Sequence, residues 1–336
     1  MQLESLSLFL AVIESGSITK AAQRLYITPQ GASSAIKTLE KQIGVTLFER
    51  KGQTLELTPK GSKVAQEAEK IVNAYQRLQE VIAFQDDAVP PTDTLNIVAT
   101  PFVRQTFTSV LEDYAEITCG NPAVSITEQN AFEIVRNCRD LDTDTLYLVD
   151  IPLNLEILLS EVSEDIVSDI LTMTDLFMPF ALSTFLIKCS EFSSITAKES
   201  LEWSDIAADK IACHDDPFLM KVIGHFVPSC NELGFGMKVT DTGLISTVVQ
   251  QSGMIGISAS LPVIFRERTW KRTISGSAVI PKPKAQFVTG VLGSPDNKYA
   301  ANFHRFMRSF LDRAIPEYMK ENDPAIFFEQ RNCLLL

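Results

Sequence analysis

A short run near the start of the chain places polar and cationic side chains at helical spacing. Apart from the adjacent pair Ser33 and Ser34, the residues Gln30, Ser33, Ser34, Lys37 and Lys41 are spaced three or four positions apart, so they share one face of a predicted helix. Such groups, on a helix slim enough to enter the major groove, suit the base edges and phosphates of DNA. This face predicts double-stranded DNA as a partner. The alternative is an ordinary helical hairpin with a solvated polar face.

The elements around this face can be predicted from their first and last residues. Gly16 suits the end of a first helix, and Ser17 suits the N-cap of a second. Thr28 caps the third helix, with Pro29 in its first turn, where no backbone N–H is needed. We include Thr28 among the DNA-binding residues because a positive helix N-terminus can meet a phosphate. Two helices joined by the short turn 26–28 form the helix-turn-helix plan.

A predicted β-wing follows the third helix. Leu55 and Leu57 alternate as in a short strand, and Arg50 and Lys51 precede Gly52 at its tip. This basic tip is expected to touch the DNA backbone or the minor groove. Residues 16–63 contain eight basic and three acidic residues, in a chain of net charge −12. A local basic patch on an acidic protein favours a polyanionic partner at that patch alone.

Together these residues resemble the winged helix-turn-helix of LysR-type transcriptional regulators. The matching positions extend over about fifty residues and are Phe9, Ser15, Gly16, Ser17, Ala21, Ala22, Leu25, Ser33, Ile36, Leu39, Glu40, Gly44, Leu47, Phe48, Glu49, Arg50, Leu57, Thr58 and Gly61. The sequence departs from the family in the reading helix. It has Pro29-Gln30 where the family often has Gln-Pro, and Ser34 where the family often has Arg.

A long amphipathic helix is predicted over 58–87, after a winged helix-turn-helix domain over 1–63. Its apolar positions repeat at steps of four and three residues, and they are Val64, Ala68, Ile71, Tyr75, Leu78 and Ile82. Such a seam is typical of a coiled coil. The resemblance implies a dimer through this linker helix, and a tetramer in which the effector domains join two such dimers. The alternative is that the seam packs on its own domain.

The remaining chain predicts an α/β region after a hinge at 88–94, which contains Pro90-Pro91. Short β-like runs alternate with helical stretches, which favours a largely parallel sheet. The resemblance implies a two-lobed domain like periplasmic solute-binding proteins, with a small-molecule effector between the lobes. Lobe I would comprise 95–176 and 286–313, lobe II 177–285, and a C-terminal extension 314–336. The expected fold class is therefore α+β and multi-domain.

Candidate effector-binding residues are those that follow predicted strands, because ligands of such sheets bind beyond the carboxyl ends of strands. Thr100 and Phe102 follow the first strand of this region. The hydroxyl of Thr100 could hold an effector carboxylate. Asp215, Asp241 and Thr242 follow two later strands. The alternative for each is an ordinary polar loop residue.

Other functions lack their usual motifs. The sequence contains no G-x-S-x-G elbow, phosphate-binding loop, H-E-x-x-H motif or G-x-G-x-x-G after a strand, so we expect no enzyme and no catalytic residue. Six cysteines without a C-x-x-C pair and only three histidines predict neither a metal site nor a cofactor. No apolar stretch approaches the roughly 20 residues that span a bilayer, which predicts a cytoplasmic protein without a membrane partner.

We therefore expect a sequence-specific DNA-binding transcriptional regulator whose activity is set by a small-molecule effector. The resemblance adds RNA polymerase as a partner. Two alternatives stay open, which are a ligand-binding module that has lost DNA reading and a redox-sensing regulator that uses its cysteines.

Overall fold

The computed structural model describes residues 2–51, 54–84, 89, 92–172, 176–190, 195, 200–240, 242–259, 277–293 and 296–314. The chain divides into two compact units, Met1–Gln85 and Asp86–Leu336. The predicted extension 314–336 lies outside the described residues except for Ala314. Of the predicted hinge 88–94, only Val89 and residues 92–94 are described.

The first unit consists of four helices and a two-stranded wing. In chain order its elements are α1 (Leu3–Ser15), α2 (Ile18–Arg24), α3 (Pro29–Ile43), β1 (Phe48–Lys51), β2 (Thr54–Leu57) and α4 (Pro59–Phe84). Gly16 and Gly44 follow α1 and α3 at φ 63° and 68°, the left-handed conformation that glycine adopts without steric cost. The two predicted helix stops are therefore where the chain turns.

Small side chains let the helices of the first unit pack closely. Ala21, Ala22 and Ala32 are fully buried, so α2 and α3 approach each other and α1 without large side chains between them. Phe9 of α1 meets Phe48 of β1 edge to face, with ring centroids 5.4 Å apart. This core holds α3 by its inner face and leaves the outer face to solvent.

The second unit is a mixed α/β structure. Its elements are β3 (Thr94–Ala99), α5 (Pro101–Thr118), β4 (Ala123–Glu128), α6 (Ala131–Arg136), β5 (Thr145–Pro152), α7 (Leu155–Leu159), α8 (Glu164–Thr172), β6 (Phe177–Cys189), β7 (Ile211–His214), α9 (Pro217–Phe226), α10 (Ser229–Leu233), β8 (Met237–Val239), α11 (Thr242–Ser252), β9 (Ile255–Ala259), β10 (Ser277–Val279), β11 (Gln286–Leu292) and α12 (Ala300–Ala314). Strands alternate with helices along this unit, as the sequence predicted.

The strands form one continuous order, β4-β3-β5-β11-β6-β9-β7-β8, with β10 paired to β6. Parallel pairing occurs at both ends, where β3 joins β4 and β5, and where β7 joins β8 and β9. The centre is antiparallel, because β6 carries the chain from one half of the sheet to the other and β11 carries it back. The expectation of a largely parallel sheet was therefore wrong, and the sheet is mixed.

The long strand β6 divides the second unit into two lobes. Its first part, Phe177–Thr184, pairs with β11, and its last part, Phe185–Lys188, pairs with β9. The helix α12 closes lobe I, where Phe303 and Phe306 pack against the ring of Tyr114 at 4.8 and 5.3 Å between centroids. A winged helix-turn-helix unit followed by a two-lobed α/β unit confirms the predicted fold class.

Among the described helices, none is both long and apolar enough to cross a lipid bilayer.

Candidate DNA-binding face and ligand pocket

The outer face of α3 presents most of the predicted DNA-binding residues to solvent. Gln30, Ser34, Lys37 and Lys41 are exposed, and Ser33 is half-buried. The inner face carries the buried Ala32, Ile36 and Leu39. Burial of this apolar stripe fixes the rotation of α3 about its axis, so the polar stripe stays outward.

The start of α3 is fixed by its cap. The Thr28 hydroxyl accepts the backbone N–H of Gly31 at 3.1 Å, and Pro29 occupies the first turn. The Thr28 side chain is exposed, so the positive end of α3 opens to solvent. Gln30 and Ser33 stand in this first turn, beside an end that favours anions.

The wing is tied to α3 by the carboxylate of Glu40. Its Oε1 accepts the backbone N–H of Leu47 at 2.7 Å and that of Phe48 at 3.3 Å. Two backbone bonds to one carboxylate set where β1 leaves α3. Glu40 matched the family pattern but had no predicted role, and the geometry makes it a positioning residue.

A second junction joins the wing to α4. The Thr58 hydroxyl donates to the carbonyl of Thr46 at 2.7 Å, and the backbone N–H of Thr58 donates to the carbonyl of Leu47 at 2.9 Å. A Cβ at Gly61 would lie 2.2 Å from the Leu47 carbonyl oxygen, so only glycine allows α4 to pass here. Arg50 and Lys51 lie on β1, and their side chains fall outside the described set.

The predicted seam on α4 divides into two parts. Ala68 is 2% exposed and Val64 half-buried, both against the core of the same unit. The prediction that Val64 and Ala68 belong to the dimer seam was wrong, because this half of α4 packs beside α1 and these side chains contact the core of their own unit. Ile71, Tyr75, Leu78 and Ile82 are 43 to 65% exposed. Val81, absent from the predicted seam, is 44% exposed beside them.

The second unit contains a pocket between its lobes that reaches both. Its walls are largely apolar, and the aromatic members are Phe102 and Phe287 near lobe I and Phe185 and Phe218 near lobe II. The Phe287 ring lies at their centre, with centroid distances of 4.9 Å to Phe102, 4.8 Å to Phe185 and 5.8 Å to Phe218. About 50 Å³ of the pocket can be reached by the centre of a water molecule, which is room for a small ligand.

A few polar groups interrupt the apolar wall, and they are Gln105, Thr106, Lys188, His214, Asp216 and Ser258. His214 Nε2 lies 3.0 Å from the carbonyl oxygen of Thr240 and 3.2 Å from Nε2 of Gln105. Since the carbonyl can only accept, His214 donates to it. The side-chain amide of Gln105 lies beside the same ring nitrogen. This contact links α5 of lobe I to β7 of lobe II.

Asp216 is the buried carboxylate of the pocket. It is 3% exposed and caps α9, and its Oδ1 accepts the backbone N–H of Phe218 at 3.1 Å. Burial raises the pKa of this carboxyl, whereas the backbone hydrogen bonds lower it. The nearby charge of Glu128 raises the same pKa further.

A second buried carboxyl lies behind the pocket in lobe I. Asp150 on β5 accepts hydrogen bonds from the hydroxyls of Thr100 and of Thr289, the latter at 2.6 Å. Burial raises the pKa of Asp150 to about 7, although both hydroxyls lower it. The charge of Asp216 raises it further, so the two carboxyls interact across the lobes.

The predicted effector residues have different surroundings. Phe102 lines the pocket. The Thr100 side chain is buried and its hydroxyl is used by Asp150, which leaves it no donor for an effector carboxylate. Asp215 is exposed, with Oδ1 3.5 Å from Nζ of Lys238, and its neighbour Asp216 lines the pocket instead. Asp241 and the side chain of Thr242 lie outside the described residues.

Several pocket residues were missed from the sequence. Asp216 had a local signal, because Asp-Pro at 216–217 is an N-cap followed by proline in the first helical turn. Phe185, Phe218 and Phe287 had none, since they come from three distant segments and look like ordinary core phenylalanines. Only the folded sheet brings them together.

One helix of lobe II also rests on lobe I. On α9, Lys221 pairs with Glu161 at 2.7 Å, and His225 Nε2 lies 3.1 Å from Nδ2 of Asn154. Phe218, one turn earlier, meets Phe132 of α6 at 5.7 Å between centroids. The face of α9 beside the pocket therefore carries contacts that depend on how the lobes are arranged.

The described cysteines are buried and free of disulfides, and they are Cys119, Cys138, Cys189, Cys213 and Cys230. Burial raises the pKa of Cys119, Cys138 and Cys230, and raises that of Cys213 to about 12. Within the described part of the chain, no group of three or more His, Cys, Asp or Glu residues could hold a metal ion.

Comparison with known proteins assigns the first unit. Residues 3–62 match the family of bacterial regulatory helix-turn-helix proteins of the lysR family. The HTH-type transcriptional activator CmpR of Synechocystis is 40% identical over 81 residues, which cover 24% of this chain and 27% of CmpR. The regulator HdfR of Salmonella newport is 36% identical over 83 residues, which cover 25% of this chain and 30% of HdfR. The matches thus span less than a third of these two relatives.

Solved structures resemble the whole chain more distantly. An H2O2-bound mutant of OxyR from Corynebacterium glutamicum covers 98% of both chains at 15% identity and a TM-score of 0.45. CbnR in complex with its target DNA covers 94% of this chain and 99% of its own at 17% identity and a TM-score of 0.40. Residues 3–62 of this chain are therefore similar to the helix-turn-helix domain of bacterial regulatory proteins of the lysR family.

Proposed function

We propose that the protein is a sequence-specific DNA-binding transcriptional regulator whose activity is set by a small-molecule effector bound between the lobes of its second unit. The observation that carries the proposal is the outer face of α3, where Gln30, Ser34, Lys37 and Lys41 are exposed on a helix held rigidly by its buried side. The chain-wide negative charge makes this local basic region the favoured contact for a polyanion.

Dimerisation through α4 is part of the proposal. Ile71, Tyr75, Leu78, Val81 and Ile82 form an exposed apolar stripe on a helix whose opposite side carries the exposed polar Asn73. Burying this stripe against a second copy removes apolar surface from water at about 25 cal/mol per Å². A two-fold dimer would present two α3 helices to two half-sites on one face of DNA. Contacts between second units would join such dimers into tetramers.

The effector would act by changing the arrangement of the lobes. A ligand shifts such an equilibrium only by its differential affinity for the two arrangements. The pocket touches both lobes, and the contacts of α9 with Glu161 and Asn154 lie beside it. In the proposed mechanism, a changed arrangement of the lobes alters the spacing between the paired DNA-binding units of the two dimers. This alters the bend of the bound DNA and the contact with RNA polymerase. A regulator of this kind works on DNA in the cytoplasm.

The alternatives have less support. A ligand-binding module that has lost DNA reading would not require an exposed polar stripe on α3. A redox sensor needs an accessible thiolate, whereas the described cysteines are buried, with raised pKa values at four of them. An enzyme is not favoured by the relatives, which are named transcriptional regulators.

The test is selection of binding sites from a random duplex pool by the full-length protein, with non-specific competitor DNA present. We expect a two-fold symmetric consensus, and binding that weakens steeply as salt is raised. Gln30→Ala should relax the preference at one position of each half-site. Recovery of unrelated sequences by the wild-type protein, or absence of DNA binding, would contradict the proposal.

A further inference from the structure

The apolar part of the pocket is lined by aromatic rings in contact with one another. The Phe102 ring stands perpendicular to that of Phe287, and the Phe218 ring meets the same ring at 80°. Rings set edge to face present both aromatic edges and faces, which an aromatic ligand can contact favourably. Leu219, Ile245 and Ile257 complete the wall on the side of lobe II. A ligand here would lose most of its contact with water, so its polar groups must be matched by those of the protein.

Two of the helix N-termini beside the pocket carry an acidic group. A helix N-terminus is a ready site for an anionic ligand, because its free N–H groups and its dipole favour negative charge. At α9 this place is taken by the buried carboxylate of Asp216. At α5 the N-cap residue Thr100 donates to the buried carboxyl of Asp150. The protein thus supplies its own acidic group beside each of these N-termini.

The nearby His214 lowers the pKa of the Asp216 carboxyl, which favours its ionised form. Lys188 is the one cationic side chain among the described lining residues, and it already has an interaction partner. His214 uses Nε2 for the carbonyl of Thr240. A ligand carboxylate placed against α9 would therefore face Asp216 at close range in a poorly solvated pocket, where like charges repel strongly.

We propose that the pocket binds a small aromatic or similarly flat apolar molecule that carries a hydrogen-bond donor or a cationic nitrogen, held by Asp216, and that it discriminates against carboxylates. The inference rests on the proposed function, since it names the chemical class of the effector. The two oxygens of a carboxyl group offer more acceptor positions than one cap uses, so Asp216 can accept a ligand donor while it caps α9.

The experiment uses three probes of similar size that share a phenyl ring and carry different polar groups, which are benzylammonium, benzyl alcohol and benzoate. Their dissociation constants are measured on the full-length protein by ligand-observed NMR titration at neutral pH. We expect benzylammonium to bind roughly tenfold more tightly than benzoate, the difference typical of one charge-assisted hydrogen bond. Benzyl alcohol should lie between them.

Two variants test whether Asp216 causes the preference for benzylammonium over benzoate. Asp216→Asn removes the charge but keeps an oxygen that can cap α9, and we expect it to abolish the preference for benzylammonium while benzyl alcohol still binds. Asp215→Asn is the matched control, because it removes the same charge from an exposed neighbour that does not line the pocket. It should retain the wild-type order of affinities.

Each outcome decides the inference. Tighter binding of benzoate, an unchanged preference in Asp216→Asn, or no binding of any probe at millimolar concentration would overturn it. DNA binding is measured on the same preparations, so that the two proposals fail separately. If benzoate binds more tightly than benzylammonium and DNA binding is intact, only the proposed chemical class of the ligand is rejected. Loss of sequence-specific DNA binding with the expected probe order removes only the regulatory function.

Discussion

The DNA-binding face and the ligand pocket differ in how their side chains are brought together. The face on α3 takes its residues from a single helix, Pro29–Ile43, and exposes them to water. The pocket takes its residues from α5, β6, β7, α9, α11, β9 and β11, and buries most of them. A site made of one helix depends on the rotation of that helix, whereas a site between lobes depends on the whole sheet.

This difference explains which features could be predicted from the sequence. The helix caps Ser17 and Thr28 and the polar stripe from Gln30 to Lys41 are local patterns, and each is observed where it was expected. Asp150 and Thr289 are 139 residues apart in the chain, yet they share a hydrogen bond. No local period indicates such a pair. Likewise, a β-like run does not show that the ring of Phe287 forms the centre of an aromatic cluster in the pocket.

The α4 helix shows the limit of periodicity within a single element. The heptad pattern ran from Val64 to Ile82, but it did not distinguish a stripe that packs on its own unit from one that stays open. The observed boundary lies between Ala68, buried against the unit core, and Ile71, which is exposed. The burial of the seam residues depends on which part of α4 packs against α1. This is a matter of tertiary packing that the local sequence pattern does not indicate.

The largest expected effect comes from the backbone junction that holds the wing. Gly61→Ala would place a Cβ 2.2 Å from the Leu47 carbonyl oxygen, and we expect the free energy of unfolding of the first unit to fall by roughly 3 kcal/mol. Hydrogen exchange of the α3 and β1 amides in the full-length protein measures this. Gly31→Ala is the matched control, since its Cβ meets only a side-chain oxygen at 3.0 Å. Equal protection of α3 in both variants would contradict the proposed junction.

The role of the exposed apolar stripe of α4 in dimerisation is tested by introducing a charge into it. Leu78→Glu should weaken association through α4 by roughly a hundredfold and halve the mass of the assembly in sedimentation at low protein concentration. Asn73→Glu adds the same charge to the opposite, exposed side of the helix, and it should leave the mass unchanged. An unchanged mass for Leu78→Glu would remove the stripe from the dimer interface.

The two kinds of contact expected on α3 can be separated by substitution. Lys37→Glu should lower affinity for all duplexes by about tenfold or more and reduce the salt dependence, because a phosphate contact carries little sequence information. Gln30→Ala should instead reduce the preference for the selected sequence over a scrambled one. Lys70→Glu on α4, where the lysine pairs with Glu67 at 2.9 Å, is the charge control. Equal losses on both duplexes for Lys37→Glu and Gln30→Ala would contradict this division.

The smallest expected effect is a change in how stability depends on pH. An unfolded aspartate loses its proton near pH 4, whereas burial raises the pKa of Asp150 to about 7. Between about pH 4 and about pH 7 the folded state binds more protons at this residue. Its contribution to the free energy of unfolding therefore falls as the pH rises. Asp150→Asn should flatten this fall in urea titrations of the full-length protein, and Asp215→Asn should not. The same pH slope in Asp150→Asn and the wild-type protein would show that Asp150 is ionised normally.

The most direct test of the DNA-binding account is a hydroxyl-radical footprint of the full-length protein on the duplex selected from the random pool. The account predicts two protected half-sites related by two-fold symmetry, with centres one helical turn of about 10 base pairs apart or a multiple of it. It also predicts that Lys37→Glu loses both half-sites together. Protection that is uniform along the duplex, or absent at a protein concentration that saturates the selected site, would contradict the account.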